Sequence, residues 1–216
     1  NKIWAFVMML IAHMDLYNVK GLSFYRLMGS GKDKGFNPLP DWSVYSLIQV
    51  WESEEIANQF FNRSKLIKKY KNHTKETYTL YMKNIASVGT WIDKTPFEKA
   101  TDLDPKQPIA IITRATIKLS WLLRFWKYVP TSQEPLGGNK GLIYTKGIGE
   151  VPAIQMATFS LWKNFNAVKE YAYKSKQHKE AIRKTRKNNW YKEELFSRFH
   201  PYKSLGTWDD NNQLIF

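Results

Sequence analysis

The chain contains no cysteine. That excludes disulfide scaffolds, thiolate-ligated metals and cysteine nucleophiles, and it fits a reducing compartment. Histidine is scarce at four residues, and no HExxH, paired-histidine spacing or GxSxG elbow occurs. Long hydrophobic runs are missing too. The longest, Ile3 to Met14, is about half of the roughly 20 residues a transmembrane helix needs. It has the basic start and apolar core of a signal peptide, but no small-residue cleavage site follows. We read Ile3–Leu16 as a buried or interfacial helix of a soluble, cytoplasmic protein. Acidic side chains are outnumbered, 19 against 33 basic ones, giving a net charge of +14. Such an excess favours a polyanionic partner, either nucleic acid or the anionic face of a membrane.

What is present is a chain able to fold. Of 216 residues, 43% are hydrophobic, and nine are tryptophan, enough to bury a substantial core. Landmarks recur in the same order in its two halves. Lys20-Gly21-Leu22, a glycine-rich loop, Val44–Trp51, a charged helical stretch and Gly89-Thr90-Trp91 are followed by Lys140-Gly141-Leu142, Gly147-Ile148-Gly149, Ile154–Trp162, another charged stretch and Gly206-Thr207-Trp208. Each half reads as strand, strand, helix, strand. Pro108–Thr116 adds a leading strand to the second half, with a helix over Ile117–Lys127 after it. The result is a β-α-β-β-α-β unit over residues 108–216. Residues 1–93 form a similar unit lacking only its leading strand, which would lie before Asn1; residues 94–107 are the linker. Two such units pairing their sheets predict an α+β fold: tandem ferredoxin-like repeats forming an α+β barrel within one chain.

The chemical menu is short. Gly29-Ser30-Gly31-Lys32 lacks the ending of a phosphate-binding loop and reads as a tight loop. Gly147-x-Gly149 is a poor dinucleotide fingerprint because Pro152 blocks a helix directly after it. In the second half, Val168, Tyr171, Ala172, Ser175, His178, Ala181, Ile182 and Thr185 follow helical periodicity, with Lys and Arg between them. His178 therefore points inward, with Lys179, Arg183 and Arg186 within two turns. An inward imidazole rimmed by guanidinium groups suits haem, whose iron takes a neutral histidine nitrogen and whose propionates take cations. A core histidine bonded to a backbone carbonyl accounts for the same periodicity. The basic stretch Lys174–Lys192 reads as a solvated helix face, a nucleic-acid footprint or a lipid-facing surface. Trp121–Tyr128 mixes aromatics with cations in the manner of an interfacial segment or of an amphipathic core helix.

Several of these segments together resemble the spheroidene monooxygenase family of bacterial carotenoid oxygenases. They are Arg114-Ala115-Thr116, Arg124-Phe125-Trp126, Gly147–Pro152, Ala157–Trp162, His178, Ala181–Thr185 and the Trp190–Phe199 stretch, joined in the first half by Gly29-Ser30-Gly31, Gly35-Phe36 and Val44-Tyr45. The resemblance implies a haem-dependent enzyme on a barrel like that of chlorite dismutases and aldoxime dehydratases. It implies haem b in the C-terminal unit, with His178 as axial iron ligand and Arg183 and Arg186 as propionate partners. Arg114 and Lys146, polar residues in otherwise apolar strands, are then the candidates on the sheet wall: each is placed to donate a hydrogen bond to bound oxygen, to reach a propionate or to point outward to solvent. It further implies O2 as co-substrate, electrons from a reduced ferredoxin, and hydroxylation or ketolation near the end of a hydrophobic, carotenoid-like molecule. The basic surface would then rest on the inner face of an anionic membrane and bind no nucleic acid; a homo-oligomer stays open. Two alternatives are another haem activity on this barrel, aldoxime dehydratase- or peroxidase-like, and a non-catalytic nucleic-acid- or haem-binding module.

Overall fold

A computed structural model describes residues 2–32, 37, 39–133, 139–174, 183 and 188–208, with backbone alone at 128–133, 173 and 174. Helix α1 (Lys2–Leu16) leads into strands β1 (Leu22–Gly31) and β2 (Pro40–Trp51), helices α2 (Glu54–Arg63) and α3 (Lys65–His73), and β3 (Tyr78–Gly89). The second half runs β4 (Ile109–Ile117), α4 (Leu122–Gln133) after a short 3₁₀ turn, β5 (Leu142–Val151), β6 (Gln155–Trp162), α5 (Phe165–Lys174) and β7 (Tyr191–Gly206). Local chemistry sets several ends. Ser53 caps α2 by accepting from the Ile56 N–H, and Ser64 both terminates α2 and caps α3 by accepting from Leu66 N–H.

The strands form one curled antiparallel sheet in the order β2-β1-β5-β6-β4-β7-β3. Within the second half, the order β5-β6-β4-β7 is that of a ferredoxin-like unit. The first half supplies the flanks: β1 and β2 join through β5, and β3 joins through β7. The place a leading strand of the first unit would take is the interval between the β2 and β3 edges.

The register carries the signature of an internal twofold. Gly29 of β1 lies opposite Gly149 of β5, and these are equivalent positions in the repeat. At the other junction Tyr78 faces Gly206 and Gly89 faces Leu195, so the glycines of the two Gly-Thr-Trp elements take matching ends of the β3–β7 pair. Both have positive φ, +93° at Gly89 and +87° at Gly206. A Cβ at Gly89 would meet the Glu194 carbonyl, and one at Gly206 the Thr77 carbonyl. Each of those carbonyls accepts the next N–H, from Thr90 and Thr207. The tryptophans match as well: Trp91 packs edge-on against Phe24 at 5.6 Å and Trp208 against Tyr144 at 5.5 Å. Trp51 ends β2 opposite Leu22, as Trp162 ends β6 opposite Leu142.

Two expectations fail. Ile117 still belongs to β4, so the helix expected over Ile117–Lys127 begins only with the 3₁₀ turn at Leu119 and α4 at Leu122. Gly29-Ser30-Gly31 is not a tight loop but the end of β1, paired with Tyr45, Asp41 and Pro40 of β2 and with β5. The glycines serve the meeting of two units across a bulge, where a bare backbone lets strands approach. Strand alternation then sorts the side chains. Inside the curl lie Phe24, Met28, Ala110, Ile112, Ile148, Ala157, Leu161, Leu195 and Phe199, with Trp91 beneath them. Outside, α1 and α3 cover Leu27 through Met8, Ala12, Leu16 and Leu66. The 3₁₀ turn and α4 bring Trp121, Phe125 and Trp126 onto Ile117, Met156 and Trp190, so this aromatic segment is a core helix. Helix α5 lays Ala167, Val168 and Tyr171 on Ile109, Ile111 and Trp162. The linker is no loose tether either: its Phe97 packs on Phe24, Trp91 and Phe199.

Alanine at either positive-φ glycine must take an unfavourable backbone while meeting a carbonyl. We expect Gly89→Ala and Gly206→Ala each to lose about 2 kcal/mol, a fall of roughly 4–8 °C in Tm for a chain of this size. Gly29→Ala, whose Cβ meets nothing within 4 Å, should stay close to the parent. Thermal melts followed by circular dichroism separate the two outcomes.

Candidate active site

Besides its apolar side chains and the hydrogen bond between Ser87 and the buried Ser197, the interior of the curl holds two ionic clusters among the described residues. Strand period places Arg114 inward with Ala110 and Ile112, and Arg114 is 1% exposed. Its Nη1 donates to Glu193 of β7, and its Nη2 lies 4.0 Å from Glu150 of β5. Glu150 also pairs with Arg26 Nε of β1 at 2.8 Å and accepts from Trp91 Nε1 at 2.8 Å. The order Arg26, Glu150, Arg114, Glu193 alternates in sign, so the group enters the interior as a neutral unit rather than as isolated charges. Arg114 Nε and Nη2 make no hydrogen bond among the described residues, and the guanidinium carbon sits 5.8 Å from the Trp91 ring centre. These are donors held in a water-poor setting, suited to an oxygen atom or an anion.

Glu193 is held on its other side by the loop after β3. Its Oε1 accepts from Thr90 Oγ1 at 2.8 Å and from the Asp93 N–H at 2.9 Å. Burial alone would raise the Glu193 pKa, but the bonds from Asp93, Thr90 and Arg114 outweigh it and bring it down to about 2. The loop adopts a costly shape to do so: Ile92 and Asp93 have φ of +51° and +57°, uncommon for a β-branched residue. A cleft of about 250 Å³ opens here, lined by Thr90, Ile92, Asp93, Thr116, Gln155, Lys192 and Glu193. It suits a few waters or a small anion, and is below the roughly 300–1,000 Å³ of pockets for larger ligands.

Lys146 also faces the interior, but apart from Arg114. Its register position is beside Phe159 of β6, whereas Arg114 is beside Ala157. It donates to Asp41 of β2 at 2.8 Å. Burial opposes ionisation of Asp41, yet the bonds from Lys146 and Ser43 bring its pKa down to about 2. Both residues expected to serve bound oxygen are therefore ion-paired, each with its own carboxylate.

Of the residues expected to hold haem, His178 and Arg186 lie outside the described residues; Arg183 is helical and exposed. The three described histidines offer no interior nitrogen to an iron. His13 is exposed, with Nδ1 at 3.1 Å from the Tyr25 hydroxyl, and His73 is exposed and stacks on Trp4 at 4.1 Å. Buried His200 has both nitrogens engaged, Nε2 accepting from the Asp104 N–H and Nδ1 bonded to the Pro108 carbonyl, each at 2.9 Å. Among the described residues no cluster of metal-ligating side chains occurs.

The sheet also separates two sets of candidates. Ile109 and Ile111 of β4 face α5, so Arg114, an odd number of residues on, faces away from it. On the α5 side stands Arg198, opposite Ile111, with its guanidinium carbon 5.7 Å from the Phe165 ring centre. Its Nε finds no hydrogen-bond partner among the described residues. Arg198, Glu193, Glu150 and Arg26 were not picked out as site residues from sequence. Their signal is a charged residue at an inward or helix-facing step of an apolar strand alternation.

A spheroidene monooxygenase of Cereibacter sphaeroides is 34% identical to this chain over 210 residues, covering 97% of the chain and 65% of that protein. The spheroidene monooxygenase of Rhodobacter capsulatus is 31% identical over 207 residues, covering 95% of the chain and 86% of that protein. No protein-family model matches the chain. Among solved structures, an aldoxime dehydratase superposes with a TM-score of 0.59 at 9% identity, covering 92% of this chain and 76% of that one. At that identity the likeness is one of fold.

Glu193 and Asp41 titrate lower in the folded chain than in the unfolded one. The stability they contribute is complete above about pH 4.5 and is lost as pH falls toward about 2. In urea midpoints measured across that window, Glu193→Gln should fall less steeply than the parent. At neutral pH it should be less stable by about 3 kcal/mol or more, because Arg114 keeps its charge and loses its nearest partner. A variant with the parent's acid limb would remove Glu193 from this role.

Proposed function

Because the chain belongs to the spheroidene monooxygenase family, we propose that it is a haem-dependent monooxygenase acting on a long apolar, carotenoid-like substrate. The observation that carries this reading is the 31% identity to the Rhodobacter capsulatus protein across 95% of this chain. The reaction places one atom of O2 in a C–H bond of the substrate. The other atom leaves as water, using two electrons and two protons. Two rounds at one carbon, with loss of water, leave a ketone. The electrons would come from a reduced ferredoxin-type protein.

Haem, when bound, would supply the oxygen activation that side chains lack. His178 is the residue we assign to the iron, with Arg183 and Arg186 toward the propionates. The described part of α5 packs on one face of the sheet, and Arg114 and Lys146 stand on the other. We therefore assign those two to holding the interior closed and dry rather than to bound oxygen. Arg198 takes over as the polar candidate on the α5 face, because its guanidinium already lies among Phe165 and Phe196. Arg114 keeps one ligand-facing possibility, an oxygen function of a substrate reaching the interior through its unbonded Nε and Nη2.

Absorption spectra of the purified chain supplied with haem test the assignment. A Soret band at one haem per chain is expected, and His178→Ala should abolish it. Arg198→Ala should alter turnover with the fold intact. Arg114→Ala should lower Tm before it alters the spectrum, since it strands Glu193. Full haem occupancy with an unchanged spectrum in His178→Ala would overturn the ligand assignment. A parent chain that takes up no haem would overturn the haem reading itself.

A further inference from the structure

Helix α1 is apolar on both its inner and its outer face. Its inner face is accounted for by Met8, Ala12 and Leu16 on the sheet. Its outer face carries Ile3, Phe6, Val7, Leu10, Ile11 and Met14, with Ile3 78%, Leu10 73% and Met14 78% exposed. At 100° per residue these six positions occupy one continuous arc with no charged residue in it. Trp42 of β2, itself half-exposed, extends the arc by packing edge-on against Phe6 at 5.5 Å. A helix hydrophobic all round is expected in a core or in contact with lipid, not on a wetted surface.

The neighbouring element says what covers it. Helix α3 packs beside α1, its Tyr70 and His73 against Trp4 and its Lys69 reaching Asp15 at 3.8 Å. It has no acidic residue and carries exposed Lys65, Lys68, Lys69 and Lys71. With Lys2 on α1, five lysines face one aspartate, Asp15, across the two helices. A second copy of the chain would bring the same lysines and the same net +14 to the contact, so like charges oppose self-association through this face. An anionic bilayer complements both features at once: acyl chains for the arc, headgroups for the lysines. No described helix is long and apolar enough to cross a membrane, and α1 is laid along the sheet through Met8, Ala12 and Leu16, an orientation that fits a helix lying in the interface plane.

We infer that α1 and α3 form a membrane-docking surface, with the Ile3–Leu10–Met14 arc entering the headgroup boundary of an anionic leaflet and the α3 lysines resting above it. This rests on the geometry of the two helices and not on the oxygenase reading, so either can fail without the other.

Co-sedimentation of the full chain with phosphatidylcholine vesicles, with and without an equal share of phosphatidylserine, tests it. Binding is expected to the mixed vesicles and to weaken, without vanishing, as salt rises. The triple variant Ile3→Ser, Leu10→Ser, Met14→Ser should bind at least roughly tenfold more weakly. All three side chains point to solvent, so its Tm should match the parent's. Lys68→Gln with Lys71→Gln should weaken binding to mixed vesicles and leave the residual binding to neutral ones unchanged. Absence of parent binding to either vesicle would overturn the inference, as would undiminished binding of the triple variant. A concentration-dependent dimer in gel filtration that the triple variant abolishes would instead assign the face to a second copy.

Discussion

The structure is organised around one buried guanidinium. Arg114 lies in the middle of the sheet's concave face, and a charge there is tolerable only if carboxylates reach it from other strands. Glu193 does so from β7 and Glu150 from β5, and Glu150 in turn holds Arg26 of β1. Trp91 and the loop after β3 complete the set through the two glutamates. Strands from both halves of the chain therefore meet at one electrostatic centre. The positive-φ residues at Ile92 and Asp93 sit in the loop that brings the Asp93 N–H onto Glu193.

The sheet has two working faces, and they carry different chemistry. The concave face holds aromatics and neutralised charges and is closed by the linker through Phe97. The convex face is divided among helices. Helix α5 lies over β4, β6 and β7 with Arg198 beneath it, α4 and Trp190 cover the next sector, and α1 with α3 covers β1 and β2. Helix α5 and the α1–α3 pair thus cover separate sectors of the convex side.

Much of the architecture was legible in the residues. Repeated landmarks with strand and helix periodicities between them pointed to two like units, and the register at Gly29–Gly149 and at Gly89 and Gly206 is what such a duplication requires. What was not legible depended on partners distant in sequence. Gly29-Ser30-Gly31 has the composition of a turn, and only the arrival of β5 makes it a strand end. Arg114 and Lys146 stood out as polar residues in apolar strands, but periodicity does not say which face of the sheet α5 would cover, nor that Glu193 and Asp41 would claim them. The clamp of His200 on Asp104 and Pro108 is a tertiary feature that no local pattern announces.

The strand order has a consequence for how the chain comes to be folded. β3 touches the sheet only along β7, through contacts such as Ser87 to Ser197 that lie 110 residues apart. The remaining strands of its own half, β1 and β2, sit at the far end of the sheet. The N-terminal half made on a ribosome thus holds a hairpin and a strand that cannot pair with one another in their final arrangement. β3 must wait until β7, more than 100 residues further on, has emerged. Such late, non-local pairing slows folding and leaves the edge of β3 uncovered until β7 arrives.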